Sequence, residues 1–143
     1  MRLTSFSDFG LRALLVLAGS KREMWSSVEL ASKLDISREH LIKVLQRLAA
    51  GGFVQTVRGA GGGVRLAREP GRIRLGEVLA WLEGDDALAE CFRDDGGHCL
   101  ISAFCALRPR LERARQAFYA ELDKTTLADC LNSRLHEFVV TAA

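Results

Sequence analysis

The sequence predicts a mainly α-helical chain with one small β-hairpin, and three observations predict it. Apolar residues recur at helical spacing through most of the 143 residues. Two capping signals, "SSVE" at 26–29 and "DIS" at 35–37, mark where one helix starts and where it gives way to the next. A glycine run, "GAGGG" at 59–63, separates two short stretches that read as strands.

Each element follows in order. Leu11, Leu14, Leu15 and Ala18 place apolar side chains on one helical face, so the first helix runs from about 5–7 to Ala18 and stops at Gly19. Ser26 and Glu29 form a capping box for a short second helix with Leu30, Ala31 and Leu34 inward. Ser37 caps a third helix, "REHLIKVLQRLAA", whose inner face is Leu41, Val44, Leu45 and Leu48. Gly51 and Gly52 end it. The spacing predicts strands over 53–58 and 64–67, with glycines supplying the positive φ of the turn between them. Helix, short helix, turn, helix, hairpin is the order of a winged helix-turn-helix. A fourth helix occupies "LGEVLAWLE" at 75–83, and loop follows around "GDD" and "RDDGGH". A long helix spans about 106–124, with a stripe of Leu111, Ala114, Phe118 and Leu122 suited to pairing two chains. One last short helix is expected in "TLADCLNSRLHEFV".

Composition narrows the class. With 48% hydrophobic residues the chain can bury a core without disulfides. No apolar run approaches a membrane span, and the start has no signal-peptide pattern, so a cytoplasmic protein with reduced thiols is expected. The net charge of +2 is unevenly spread: residues 1–70 carry 11 Lys+Arg against 6 Asp+Glu, and residues 71–143 carry 9 against 12. A basic front half facing a polyanion is the reading this supports.

The second helix of a helix-turn-helix lies in the major groove. Ser37, Arg38, Glu39, His40 and Lys43 occupy that position here. Arg38 suits bidentate contact with guanine and Lys43 suits a phosphate. Arg58 and Arg65 flank the glycine tip of the wing, placed for the minor groove or the DNA backbone. The glycine run itself is no nucleotide site, because Val64 stands where a G-x-G-x-x-G motif needs its last glycine and no Lys-Ser/Thr follows. Ser, Cys and His residues form no catalytic constellation, so no enzyme is expected.

Four cysteines in a reduced compartment point to metal or redox use. Cys91, Cys99 and Cys105 are spaced C-x7-C-x5-C, which is neither a zinc knuckle pair nor a C-x-x-C redox pair. By spacing, an iron–sulfur cluster, a zinc ion and redox thiols all stay open, with His98, Cys130 or a distant carboxylate as a fourth ligand. Cys130, beside Leu127 and Leu131, reads as a small core hydrophobe, and His136 as a surface residue.

"MRLTSFSDFGLRALLVLA", "ISREHLIKVLQRL", "VRGAGGGVRLA", the three-cysteine loop and "TLAD" together resemble the iron–sulfur winged-helix regulators of the Rrf2 superfamily, over about residues 1–135. The opening "LTSFSDFGLRAL" is most similar to the nitric-oxide-sensing (NsrR-type) branch. That resemblance implies a [4Fe–4S] cluster, with [2Fe–2S] as the alternative, on Cys91, Cys99 and Cys105. It also implies Asp8 as the fourth ligand, given by the other subunit. The helix dipole alone would also favour an acid at Asp8. A related branch carries a histidine ligand three residues after its last cysteine, where this chain has Arg108. The implied protein is a homodimeric repressor that binds a palindromic double-stranded DNA operator and releases it when nitric oxide attacks the cluster. Alternatives are an iron- or redox-sensing regulator of the same fold (RirA- or IscR-like) and a zinc- or thiol-dependent DNA-binding protein. The expected units are a winged helix-turn-helix domain over 1–83, a cluster-binding loop over 84–105, and dimerisation and C-terminal helices over 106–143.

Overall fold

The computed structural model describes residues 3–84, 87–95 and 97–141. Asp85, Asp86 and Gly96, which the sequence places in the loop flanking the cysteines, lie outside the described residues.

Helix α1 (Ser5–Gly19) begins where the apolar spacing allows and is capped by Thr4, whose hydroxyl accepts from the Ser7 N–H. Helix α2 (Ser27–Leu34) opens on the complete capping box, with Ser26 and Glu29 bonded reciprocally. Asp35 then takes a left-handed φ of 52°, which turns the chain sharply toward α3 (Arg38–Ala50), capped by Ser37. Strands β1 (Val54–Val57) and β2 (Gly63–Leu66) pair antiparallel, with Val54 opposite Leu66 and Val57 opposite Gly63. β1 is shorter than the sequence suggests, its start because the Phe53 N–H returns to the Leu48 carbonyl and closes α3 instead of opening the strand, while β2 keeps the expected length one residue earlier. Trp25 adds a bridge to Val64 through bonds of 2.9 and 2.7 Å, so the wing base is fixed to the segment that enters α2.

Helix α4 (Leu75–Glu83) coincides with the predicted "LGEVLAWLE". Two single 3₁₀ turns, Glu90–Phe92 and Ser102–Phe104, carry the cysteine loop. Helix α5 (Arg108–Leu122) packs along α4, so closely that a Cβ at Gly76 would strike the Tyr119 carbonyl and the Asp123 carboxylate. Leu111, Phe118 and Leu122 are half-buried within the protomer, and only Ala114 of the predicted pairing stripe is exposed. The last segment is two elements, not one. Asp129 and Thr126 bond each other to make a 3₁₀ turn, and Asn132 then caps α6 (Ser133–Val140) afresh.

One core joins α1, α2, α3, the hairpin, α4 and α6. Leu14, Leu30, Leu41, Val44, Leu48, Phe53, Val64, Ile73, Val78 and Leu127 are all but inaccessible. Gly10 lets α1 and α4 touch, since a Cβ there would lie 2.5 Å from Leu82 Cδ1. His136, expected at the surface, is half-buried, with Nδ1 2.9 Å from the Gly19 carbonyl, because α6 folds back on the end of α1. Cys130, expected in the core, is only partly covered.

Candidate DNA interface and cysteine loop

Helix α3 buries Leu41, Val44, Leu45 and Leu48 and turns its opposite side outward. Ser37, Arg38, Glu39, His40, Lys43 and Gln46 are exposed there. A groove of about 430 Å³ runs between this helix and the wing, lined among others by Ser27, Arg38, Ile42, Gln46, Thr56 and Arg58. Ser27 accepts from Arg38 Nε at 3.3 Å, so the start of α2 aims the first arginine of α3. The sequence-predicted residues separate here. Arg38 and Arg58 share the groove, whereas Arg65 lies outside it, engaged by Gln55 at 3.1 and 3.2 Å and by Glu23 at 3.6 Å. The His40 ring sits beside Phe9, centroids 6.4 Å apart, on the flank next to α1. Ser27, Ile42 and Gln46 were missed in sequence. Gln46 had a signal, since it falls three and seven residues after Lys43 and Glu39 on one helical face.

The wing tip needs its glycines for space and for backbone. Gly59 and Gly61 have φ of 102° and 78°, and a Cβ at Gly62 would collide with the Val57 carbonyl.

The cysteine loop is built differently. All four thiols are free, and Cys91 is buried while Cys99 and Cys105 are half-buried. Phe92, next to Cys91, lies under the guanidinium groups of Arg108 and Arg115 at 5.7 and 5.8 Å. Arg93 bonds both oxygens of Asp95, and that pairing first, with the Gly97 N–H second, holds the Asp95 carboxyl below its ordinary range. Gly97 turns with φ of 59°, where a Cβ would strike the Glu90 carbonyl. Between the second and third cysteines, Leu100, Ile101 and Phe104 are exposed, and so is Leu107 just beyond. Among the described residues, no three His, Cys, Asp or Glu side chains converge in metal-binding geometry. Asp8 sits on the first turn of α1 and pairs with Arg12 through bonds of 3.0 and 2.6 Å.

The family model described as "Rrf2: Iron-dependent Transcriptional regulator" matches residues 3–133 of this chain. The chain belongs to the Rrf2 family. It is similar to the HTH-type transcriptional regulators NsrR of Bacillus subtilis (strain 168), 40% identical over 135 residues, and of Bacillus licheniformis, 38% identical over 137. These alignments cover 94% and 95% of this chain and 92% and 96% of the relatives. Among solved structures, T. potens IscR superposes with a TM-score of 0.69 at 28% identity, covering 90% of this chain and 85% of the other. The global cysteine regulator CymR of B. subtilis superposes at 0.68 and 28%, covering 90% and 95%. By sequence the chain is an NsrR-type Rrf2 protein with the winged-helix fold. It is a DNA-binding transcriptional regulator and not an enzyme. No helix among the described residues is long and apolar enough to cross a membrane.

Proposed function

We propose that this protein is a homodimeric repressor whose operator binding depends on a [4Fe–4S] cluster, and that nitric oxide relieves repression. The observation that carries the reading is the pairing of a complete reading head with a loop of three free, partly shielded thiols. The donor set suits the group. Three soft thiolates favour iron–sulfur chemistry, and the one harder carboxylate, Asp8 of the partner subunit, leaves a labile corner. The buried Ser102 hydroxyl, three residues from both Cys99 and Cys105, has no hydrogen-bond partner among the described residues, a donor left over for a group held by these thiols. When bound, the cluster supplies an iron site reactive toward nitric oxide.

The chain's own residues do the rest. Arg38, aimed by Ser27, meets base edges; Lys43 and Arg58 meet phosphates; Gln46 extends the readout one turn along α3. Ser37 and Glu39 at the helix start, with His40 beside Phe9, set how that end enters the groove. Arg65 steadies the wing through Gln55 and reaches the DNA backbone from the wing's far side. A second subunit seats along the exposed side of α5, which presents Arg113, Ala114, Ala117 and Ala120, and two heads then face successive major grooves of a palindromic operator.

The test is iron, acid-labile sulfide and zinc per chain after anaerobic purification, with operator affinity before and after nitric oxide at fixed salt. About four iron and four sulfide per chain, and weaker binding after nitric oxide, are expected; about two of each would indicate [2Fe–2S]. Zinc without sulfide, or affinity unmoved by nitric oxide, would sink the proposal. The family's iron-dependent description and the likeness to IscR favour one second reading, a regulator that responds to iron supply. Release by a chelator but not by nitric oxide would select it.

A further inference from the structure

We infer that the C-terminal turn of α4, Trp81 to Gly84, is the joint through which the cysteine loop sets the pose of the reading helix, with Arg47 and Trp81 as its positioning residues. The inference rests on the proposed function for its purpose, but its evidence lies elsewhere in the fold.

A helix leaves its last four carbonyls without intrahelical partners. At α4 one of these is taken by the reading helix. Arg47, in the last turns of α3, donates from Nε and Nη2 to the Trp81 carbonyl at 3.1 and 2.7 Å. The Trp81 indole donates back to the Arg47 carbonyl at 2.7 Å, and the guanidinium stacks 4.1 Å above the indole ring. This is a reciprocal lock between two helix ends, far stiffer than a single surface contact. It has no slack: a Cβ at Gly51 would stand 2.6 Å from the indole nitrogen. Lys43 lies one turn before Arg47 on the same helix, so a tilt at the lock moves the DNA-facing side.

The same turn holds a further helix. Glu83 Oε1 accepts from the Thr4 N–H at 3.0 Å and from the Thr4 hydroxyl at 3.1 Å, which ties the start of α1, and with it the Asp8 turn, to the end of α4. Gly84 leaves the helix with φ of 59°, 3.4 Å from Arg47 Nη2 by its would-be Cβ, and the chain reaches Cys91 seven residues later. The chain thus leaves the head for the loop through a turn that grips α1 and α3 together. A rigid element held this way carries a change at the loop into the reading head.

Support for helix packing alone would weaken operator binding equally in every state of the loop, and the two roles therefore separate. The full-length protein would be compared with Trp81→Phe, which keeps an aromatic face and loses the indole donor, and with Glu83→Gln. The first readout is operator affinity of cluster-loaded against cluster-free protein at fixed salt. The second needs no iron: amide hydrogen exchange over 38–50 in cluster-free protein, before and after alkylation of the loop thiols in a Cys130→Ser background. In the parent, alkylation is expected to change exchange in α3; in Trp81→Phe that change should vanish and the loaded-to-free affinity ratio should shrink about fivefold or more. An affinity ratio and an exchange response both equal to the parent's would overturn the joint, as would equal weakening in both states. A parent whose affinity ignores cluster content would overturn the proposed function, while the exchange experiment would still decide the joint.

Discussion

The reading head and the cysteine loop are opposites in construction. From Thr4 to Glu83 the helix ends and the core are closed by specific partners: Ser26 with Glu29, Ser37 over α3, Trp25 on Val64, Arg47 on Trp81. From Ala87 to Leu107 the chain has two single 3₁₀ turns, four exposed large apolar side chains after Cys99, and a buried hydroxyl with no partner among the described residues. The head carries its own stability. The loop has the chemistry of a segment completed by something it binds.

The largest effects should fall on that contrast. Phe53, 1% exposed, should cost about 3–5 kcal/mol when cut to alanine. Phe104, 77% exposed, should cost under about 0.5 kcal/mol by the same change in cluster-free protein. Urea unfolding of both variants without iron checks this, and a large loss at Phe104 would mean that the loop is part of the cooperative core. Next in size is Gly51→Ala, where the new methyl meets Phe53 and the Trp81 indole at 2.6 Å. Overpacking of that kind costs about 1–3 kcal/mol, and an unchanged urea midpoint would show that the α3–α4 lock has room to yield.

The same contrast explains what could be read from the sequence. Helix ends in the head were legible because they rest on neighbours a few residues away: the Ser26–Glu29 box, the Ser37 cap and the whole of α4 fell where the pattern placed them. Strand β1 starts a residue late because the Phe53 N–H closes α3 on the Leu48 carbonyl instead of joining the hairpin. The final segment split because Asn132 caps a new helix, and apolar periodicity cannot register a cap inside its own run. His136 was misplaced since its partner, the Gly19 carbonyl, is 117 residues away. Of the groove beside α3, Arg38 and Arg58 were named from the motif, but Ser27 and the Arg47–Trp81 lock depend on the way the helices cross. The loop was legible only as a spacing of thiols, for nothing local fixes their geometry.

Smaller effects separate the two regions functionally. Arg38→Ala should weaken operator binding by about 1–3 kcal/mol and relax preference at one base position, while Lys43→Ala should weaken all sequences alike and lower the salt slope by about one. Both should leave iron content unchanged. Cys99→Ser should do the reverse, removing iron while the urea midpoint of the cluster-free chain stays put. Titrating operator across a salt series, with iron assayed on the same samples, tests the division. Loss of iron in Lys43→Ala would break it.

The smallest expected effect is a pH dependence, and it probes the same boundary. In the head, hydrogen bonds from the Ser26 hydroxyl at 2.7 Å and its N–H at 3.1 Å, with Arg22 adding charge, hold the Glu29 carboxyl below its ordinary value of 4.5. In the loop, Arg93 does the same to Asp95. A depressed folded value means that the unfolded chain binds the proton first as pH falls. The stabilisation is then present above the ordinary carboxylate value and is lost as pH drops through the folded one. Glu29 belongs to a helix packed on the core, so its linkage should enter the global transition, and Glu29→Gln should flatten the acid limb by lowering stability at neutrality while changing little in acid, where the parent's carboxyl is protonated as well. Asp95 belongs to a loop of short 3₁₀ turns outside the core, expected to open before the head unfolds, so Asp95→Asn should leave that limb as it was. Urea midpoints from pH 7 down to about 3, on cluster-free protein, give both answers. An acid limb altered as much by Asp95→Asn as by Glu29→Gln would show that loop and head unfold as one.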